Sequence, residues 1–130
     1  MKLLLDTHIW LWSLLEPEKL SGEVAEQLES EENELWLSPT SVWETLILAA
    51  KGRLDLQPSP EEWIQNALRR VPMKDAPLNR EVAFRSRSLP VPDQDPADRF
   101  LAATAVVYEL TLVTADRNLL AVEGLSVLAN

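Results

Sequence analysis

The chain has no cysteine, three glycines and one histidine among its 130 residues. Each scarcity excludes a class of function. Without cysteine there is no disulfide framework and no thiolate chemistry. His8, the sole histidine, cannot build a zinc site without cysteine or histidine partners. Gly22, Gly52 and Gly124 are scattered and form no phosphate-cradling glycine loop. No apolar run approaches the roughly 18 residues that a membrane-spanning helix needs. The N-terminus has one lysine and then an acid at position 6, which is wrong for a secretory signal, so a cytoplasmic protein is expected. Positive charge is short as well: 12 Lys and Arg face 21 Asp and Glu, for a net charge of -9.

That charge is unevenly placed. Residues 1–50 carry ten acids against Lys2 and Lys19, a balance of -8. Within 51–87 the sign reverses, eight basic residues opposing five acids for +3. A uniformly acidic protein repels nucleic acid. This one keeps a local basic segment that phosphate can meet, although a solvated, salt-bridged surface explains the same charges.

What remains is an alternation of strands and helices. Lys2-Leu3-Leu4-Leu5 reads as a short buried strand, and 7–15 as a helix stopped by Pro17. Ser21 caps a second helix. A strand is expected over 34–38, followed by a helix with Ser38 as cap and Pro39 in its first turn. Val42, Trp43, Leu46, Ile47 and Ala50 form the expected apolar face of that helix, and Gly52 ends it. Ser59-Pro60-Glu61-Glu62 opens another helix, and a weak strand is expected over 71–75. Asn79 caps a short helix ending near Arg87, and 89–96, with three prolines, is a stiff loop. Asp95-Pro96-Ala97-Asp98 opens the most apolar helix, expected to reach about Glu109. Strands at 111–114 and 125–128 flank a helical piece at 116–122. Apolar strands separated by helices imply one α/β domain over 1–130, its parallel sheet covered on both faces.

Four carboxylates fall where these elements meet turns. Asp6 ends the first strand, Asp116 closes the run 110–115, Asp98 sits in a helix's opening turn, and Glu44 lies within an apolar helix. Strand ends and helix starts on one edge of a parallel sheet converge on a cleft. Each acid also has an ordinary role available. Asp6 suits a helix cap, Asp98 a first-turn acid and Asp116 a strand-exit turn. Glu62 occupies the same place after Ser59-Pro60 as Asp98 does after Asp95, with no function implied. Glu44 is harder to account for, since a buried unpaired glutamate costs several kcal/mol or becomes protonated. Together the acids point to a divalent cation. Hard oxygen ligands suit Mg²⁺ or Mn²⁺. Two such ions about 4 Å apart stabilise the attacking and leaving oxygens of a phosphodiester displacement.

Other acid-based phosphate sites fit less well. A receiver-type phosphoacceptor needs paired acids after the first strand and a lysine near the last, and neither is present. A haloacid dehalogenase-type phosphatase needs a second Asp where His8 stands.

The motifs Leu4-Leu5-Asp6-Thr7-His8, Ser38-Pro39-Thr40-Ser41-Val42-Trp43-Glu44, Asp95-Pro96-Ala97-Asp98-Arg99-Phe100-Leu101-Ala102-Ala103-Thr104-Ala105 and Leu112-Val113-Thr114-Ala115-Asp116 occur in that order. Across essentially its whole length the chain resembles the PIN-domain ribonucleases, and within them the VapC-type toxins of bacterial toxin–antitoxin pairs. The resemblance implies a three-layer α/β/α fold with a central parallel sheet of about five strands. It implies cleavage of RNA dependent on Mg²⁺ or Mn²⁺. By position Asp6, Glu44, Asp98 and Asp116 match the family's acidic quartet, with Asp6 and Asp98 as leading metal ligands. Thr114 matches a hydroxyl residue near the fourth acid, and Thr7 is expected to act similarly beside Asp6. Arg99 is a candidate phosphate contact and equally a partner for Asp95. His8 matches a subgroup reading Asp-Thr-His; helix packing is its expected role. An antitoxin protein and a second copy of the chain are the implied partners. A catalytically inactive PIN-like module that binds RNA or protein is the alternative.

Five tryptophans complete the expectations, with burial as the default. Trp10 and Trp12, two apart, cannot share one side of a helix, so one is expected to reach a groove or an interface.

Overall fold

The structure, a computed structural model, describes residues 1–92 and 94–130. Asp93, in the proline-rich loop expected over 89–96, lies outside the described residues. Five strands are described: β1 (Lys2–Leu5), β2 (Glu34–Leu37), β3 (Lys74–Asp75), β4 (Thr111–Thr114) and β5 (Val127–Ala129). They form one sheet in the order β3-β2-β1-β4-β5, with every neighbouring pair parallel. Seven α-helices are described: α1 (Thr7–Leu15), α2 (Gly22–Glu29), α3 (Pro39–Ala50), α4 (Pro60–Arg70), α5 (Arg80–Ser88), α6 (Pro96–Val107) and α7 (Arg117–Leu120).

The two-residue period of a strand sorts the apolar side chains into two cores. Leu3 and Leu5 of β1, Leu37 of β2 and Val113 of β4 point to one face, where Ile9, Trp10, Val24, Ile64 and Ala67 from α1, α2 and α4 cover them. Leu4 and Leu112 point to the other face, under Leu101, Ala102, Ala105 and Leu119 of α6 and α7. Register carries this across the sheet, since Leu4 lies beside Trp36 and Leu112, and Leu112 beside Val127. Helix α5 packs on α6. Leu3, Leu4 and Leu5 are fully buried. Each such leucine stabilises the fold by roughly 1.5–3 kcal/mol relative to exposure.

The expected helix starts are found with their caps. Ser21, Ser38, Ser59, Asn79 and Asp95 each accept a backbone N–H of the following turn through their side chains. Such caps contribute about 1 kcal/mol each. Gly52 ends α3 at a φ of 73°, where a residue with a Cβ is strained.

Among the boundaries that differ from expectation, three have a local cause. β3 begins at Lys74 rather than near residue 71, because Pro72 has no N–H for a ladder and Val71 stays exposed. β5 begins at Val127, since Leu125 is held in a turn by a bond from its N–H to the Val122 carbonyl. Helix α6 stops at Val107, and Glu109 takes a φ of 56° to turn the chain into β4.

The strand order decides where a site can form. From β1 the chain moves outward to β2 and β3, then returns across β1 to β4 and β5. The connections after β1 and β4 leave for opposite directions, opening a crevice at the carboxyl ends of these two adjacent strands. Asp6 and Asp116 are the acids that follow β1 and β4.

Candidate active site

Asp6 stands directly at that crevice. Its backbone N–H donates to the Val113 carbonyl of β4 at 3.0 Å, which ties it to the neighbouring strand. It occupies the N-cap position of α1, yet its side chain makes no capping bond. The capping explanation of this acid therefore fails. Its Oδ2 instead accepts the Thr114 hydroxyl at 2.7 Å. Only 9% of Asp6 is exposed. Burial pushes its carboxyl above the usual range, the Thr114 hydroxyl and His8 pull it back, and Asp116 adds to the rise.

Thr114 joins two of the acids. While donating to Asp6, its Oγ1 accepts the backbone N–H of Asp116 at 3.0 Å. The residue is fully buried, so both bonds persist away from bulk water. The Asp116 carboxylate accepts the N–H of Asn118 at 2.9 Å and caps α7. Its ordinary turn role is thus real, and it coexists with a place in the crevice.

Glu44 arrives on α3, whose orientation departs from expectation. Of the apolar face assigned to this helix, Trp43 is 55% exposed and Leu46 39% exposed, while Val42 packs against the core. The buried side carries Thr40, Ser41 and Thr45. The reason is local chemistry. Thr7 Oγ1 lies 2.9 Å from Ser41 Oγ and 2.5 Å from Glu44 Oε1. The Thr45 hydroxyl donates to the Ser41 carbonyl at 2.8 Å. Pairing Thr7 with Ser41 and Glu44 requires the polar side of α3 to face α1. Glu44 is half-buried, and burial raises its carboxyl above the usual range. The Thr7 hydroxyl opposes that rise, while Asp6 and Asp95 reinforce it.

Asp98 is half-buried in the first turn of α6, behind the Asp95 cap. Arg99, the next residue, is not available to a phosphate. It is 8% exposed, and its two terminal nitrogens donate to the carbonyls of Ser86 and Val91, each at 3.0 Å. Helix periodicity turns position 99 inward when 98 faces the crevice. The guanidinium therefore pins the end of α5 and the loop behind it, and the expectations of a phosphate contact or an Asp95 pair are both corrected.

Asp6, Glu44, Asp98 and Asp116 all line one cleft of about 380 Å³, with His8, Trp12, Asp95 and Ala115. The four acids come from the ends of β1 and β4 and from α3 and α6. From sequence Asp95 reads only as a cap; its position three residues before Asp98, one helical turn away, is the signal that places it here. His8, expected to pack, is exposed, because α1 presents positions 8 and 12 on its crevice side. The His8 and Trp12 ring centroids are 5.9 Å apart. Trp10 is 1% exposed while Trp12 lines the cleft, as their spacing requires.

The donor set is chemically suited to a hard divalent cation. It offers carboxylate oxygens and one exposed imidazole, and burial together with neighbouring acids raises the Asp6 and Glu44 carboxyls, a cost that a cation removes. Among the described residues, no three acidic or imidazole side chains are gathered into one ligand shell. Asp6 and Glu44 are turned onto Thr114 and Thr7, and Asp116 onto a backbone N–H. The acids share a wall and keep their hydrogen bonds.

The family model for the PIN domain matches residues 3–125. The chain belongs to the PIN-domain family. This PIN domain is 33% identical over 117 residues to a Mycobacterium tuberculosis protein named Ribonuclease VapC22, covering 89% of the chain and 88% of that relative. Its fold is that of the VapC structures. It matches a Rickettsia felis VapBC2 structure bound to a promoter DNA fragment with a TM-score of 0.76, at 16% identity over 100% of this chain and 99% of that one. A DNA-bound VapBC from Salmonella typhimurium matches at 0.72, with 15% identity and 99% and 98% coverage. A FitAcB structure from Neisseria gonorrhoeae matches at 0.67, with 24% identity and 98% and 96% coverage.

Proposed function

We propose that this PIN domain is an endoribonuclease dependent on Mg²⁺ or Mn²⁺, and the toxin of a toxin–antitoxin pair that inhibits translation by cleaving particular RNAs. The carrying observation is the convergence of Asp6, Glu44, Asp98 and Asp116 on one cleft at the crevice between β1 and β4. The name of the mycobacterial relative supports ribonuclease activity, and the VapBC structures support an antitoxin protein as partner. A second copy of the chain and a cytoplasmic location belong to the same reading.

In this mechanism Asp6, Asp98 and Asp116 would hold the cation, and Glu44 would bind a second ion or position water. A bound ion supplies Lewis-acid stabilisation of the charge that develops on the phosphate oxygens. The protein's part is to keep the ligands in place. Thr114 fixes the Asp6 rotamer and ties it to the Asp116 backbone, and Thr7 fixes Glu44 against α3. No side chain becomes covalently attached to RNA.

The test is a 5′-end map of bacterial RNA after brief induction, comparing the native chain with Asp98→Asn. New 5′-phosphate ends at few sites, absent with the variant, are expected. In parallel, Mg²⁺ or Mn²⁺ should raise the thermal midpoint of the native chain and not of the variant. Ends that persist in Asp98→Asn would sink the assignment. Identical maps with no metal-dependent stabilisation would leave the inactive binding module as the better reading.

A further inference from the structure

A second concavity adjoins the acid cleft. It measures about 270 Å³ and is walled by Trp12, Leu15, Leu48 and Leu54, with Arg53 and His8 beside them. Trp12 and His8 belong to both the groove and the cleft, so the two are continuous. We propose that this groove is a nucleobase subsite, in which one unstacked base of single-stranded RNA next to the cleaved phosphodiester lies on the Trp12 indole while its phosphate meets Arg53. The proposal rests on the ribonuclease reading and extends it to substrate positioning.

Electrostatics favour this occupant. The cleft is lined by five acids, which repel the phosphates on either side of the cut. Affinity for the flanking strand has to come from outside them. The one acid of the groove, Glu16, is neutralised by Lys19 at 3.0 Å. The Lys19 ammonium lies over the Trp12 ring, 5.6 Å from its centroid, and a base stacking on that face displaces it toward the phosphate. Among the described residues Arg53 is in no ion pair, and it is exposed. An aromatic surface with cations beside it is how proteins bind unpaired bases, since every base has a stacking face and every nucleotide a phosphate. The leucine walls suit a base and exclude a second phosphate. The small volume suits one base, being below the roughly 300–1,000 Å³ of pockets for larger ligands. A bound peptide is the other chemistry such a groove takes, and the experiment separates the two.

Binding of fluorescein-labelled octauridylate and octaadenylate is read by anisotropy with the full chain in an Asp98→Asn background. Cleavage of a random-sequence RNA pool by the otherwise native chain is read by end mapping. Trp12→Ala is expected to weaken binding by about 10-fold, within the roughly 5- to 150-fold range that loss of one stacked base allows. Trp12→Phe keeps a stacking face and should stay within about three-fold. Arg53→Gln should weaken binding and reduce the salt slope by about 0.7, the loss of one phosphate contact on a single strand. In cleavage, Trp12→Ala should erase base preference at one position flanking the cut and raise KM with kcat within about two-fold. Unchanged affinity and unchanged base preference in Trp12→Ala and Arg53→Gln, with cleavage intact, would overturn the subsite and leave the ribonuclease reading standing. Variants that weakened binding of a protein partner alone, with RNA binding intact, would overturn it equally. Binding that depends on Trp12 and Arg53 in a chain that cleaves nothing would do the reverse. If Trp12→Ala fails to fold, Arg53→Gln on the exposed residue decides alone.

Discussion

Thr114→Val tests the hydroxyl that bridges Asp6 and Asp116, and it does so without any assay of function. The substitution keeps the shape of a fully buried residue and deletes one oxygen. Two bonds go with it, the 2.7 Å donation to Asp6 Oδ2 and the 3.0 Å acceptance from the Asp116 N–H. A hydrogen bond to a charged group contributes about 1.5–3 kcal/mol and a neutral one about 0.5–1.5 kcal/mol. The expected loss at neutral pH is therefore about 2–4.5 kcal/mol. The sign of the pH dependence follows from Asp6. Burial already raises its folded pKa, so its contribution to stability is full below the unfolded pKa and is lost as pH rises through the folded one. The Thr114 hydroxyl lowers that pKa, and removing it raises the pKa further. The variant thus loses more on passing from acid to neutral pH than the native chain does. At acid pH, below the unfolded carboxylate value, where a raised carboxyl is protonated in the folded state, the loss should shrink to about 1–3 kcal/mol, the worth of two neutral bonds. Urea denaturation of both proteins at the two pH values measures the difference. In an Asp6→Asn background the cost of Thr114→Val should be that of two neutral bonds, about 1–3 kcal/mol, and independent of pH. A cost that stays constant, or grows in acid, would refute the bridge between a buried carboxylate and this hydroxyl.

Two further outcomes follow from the same geometry. Asp6→Asn should raise stability at neutral pH, because it removes a buried charge with a raised pKa while keeping an acceptor for Thr114; the gain should vanish toward acid pH in urea melts, and cleavage should be lost. Arg99→Ala should cost about 3 kcal/mol or more in the same melts, since the Ser86 and Val91 carbonyls lose a charged donor, yet RNA affinity of the folded protein should be unchanged; weakened affinity without destabilisation would restore a phosphate role.

The architecture was legible because it is written locally. Three leucines in a row, a Ser-Pro or Asp-Pro before an apolar stretch, and a glycine after one are signals within a few residues of the structures they produce. The element order, the caps at Ser21, Ser38, Ser59, Asn79 and Asp95, and the acids Asp6, Asp98 and Asp116 at element ends were all readable this way. The errors lie where a side chain's neighbours come from distant segments. Trp43 and Leu46 satisfy helical periodicity as well as any core residue, yet α3 turns Ser41 and Thr45 inward because Thr7, 34 positions away from Ser41, needs partners. Arg99 looks like a surface cation beside an acid and is instead buried on two carbonyls.

By itself the sequence determined the class of fold and the identity of the acids, since both depend on residue type and short-range spacing. Only the tertiary structure decided which of the acids is buried, which hydroxyl holds each one, and that Asp95 and Trp12 join them. The reason is the strand order. Returning the chain across β1 to β4 brings Asp6 and Thr114, 108 positions apart, within 2.7 Å, and no local signal records that return.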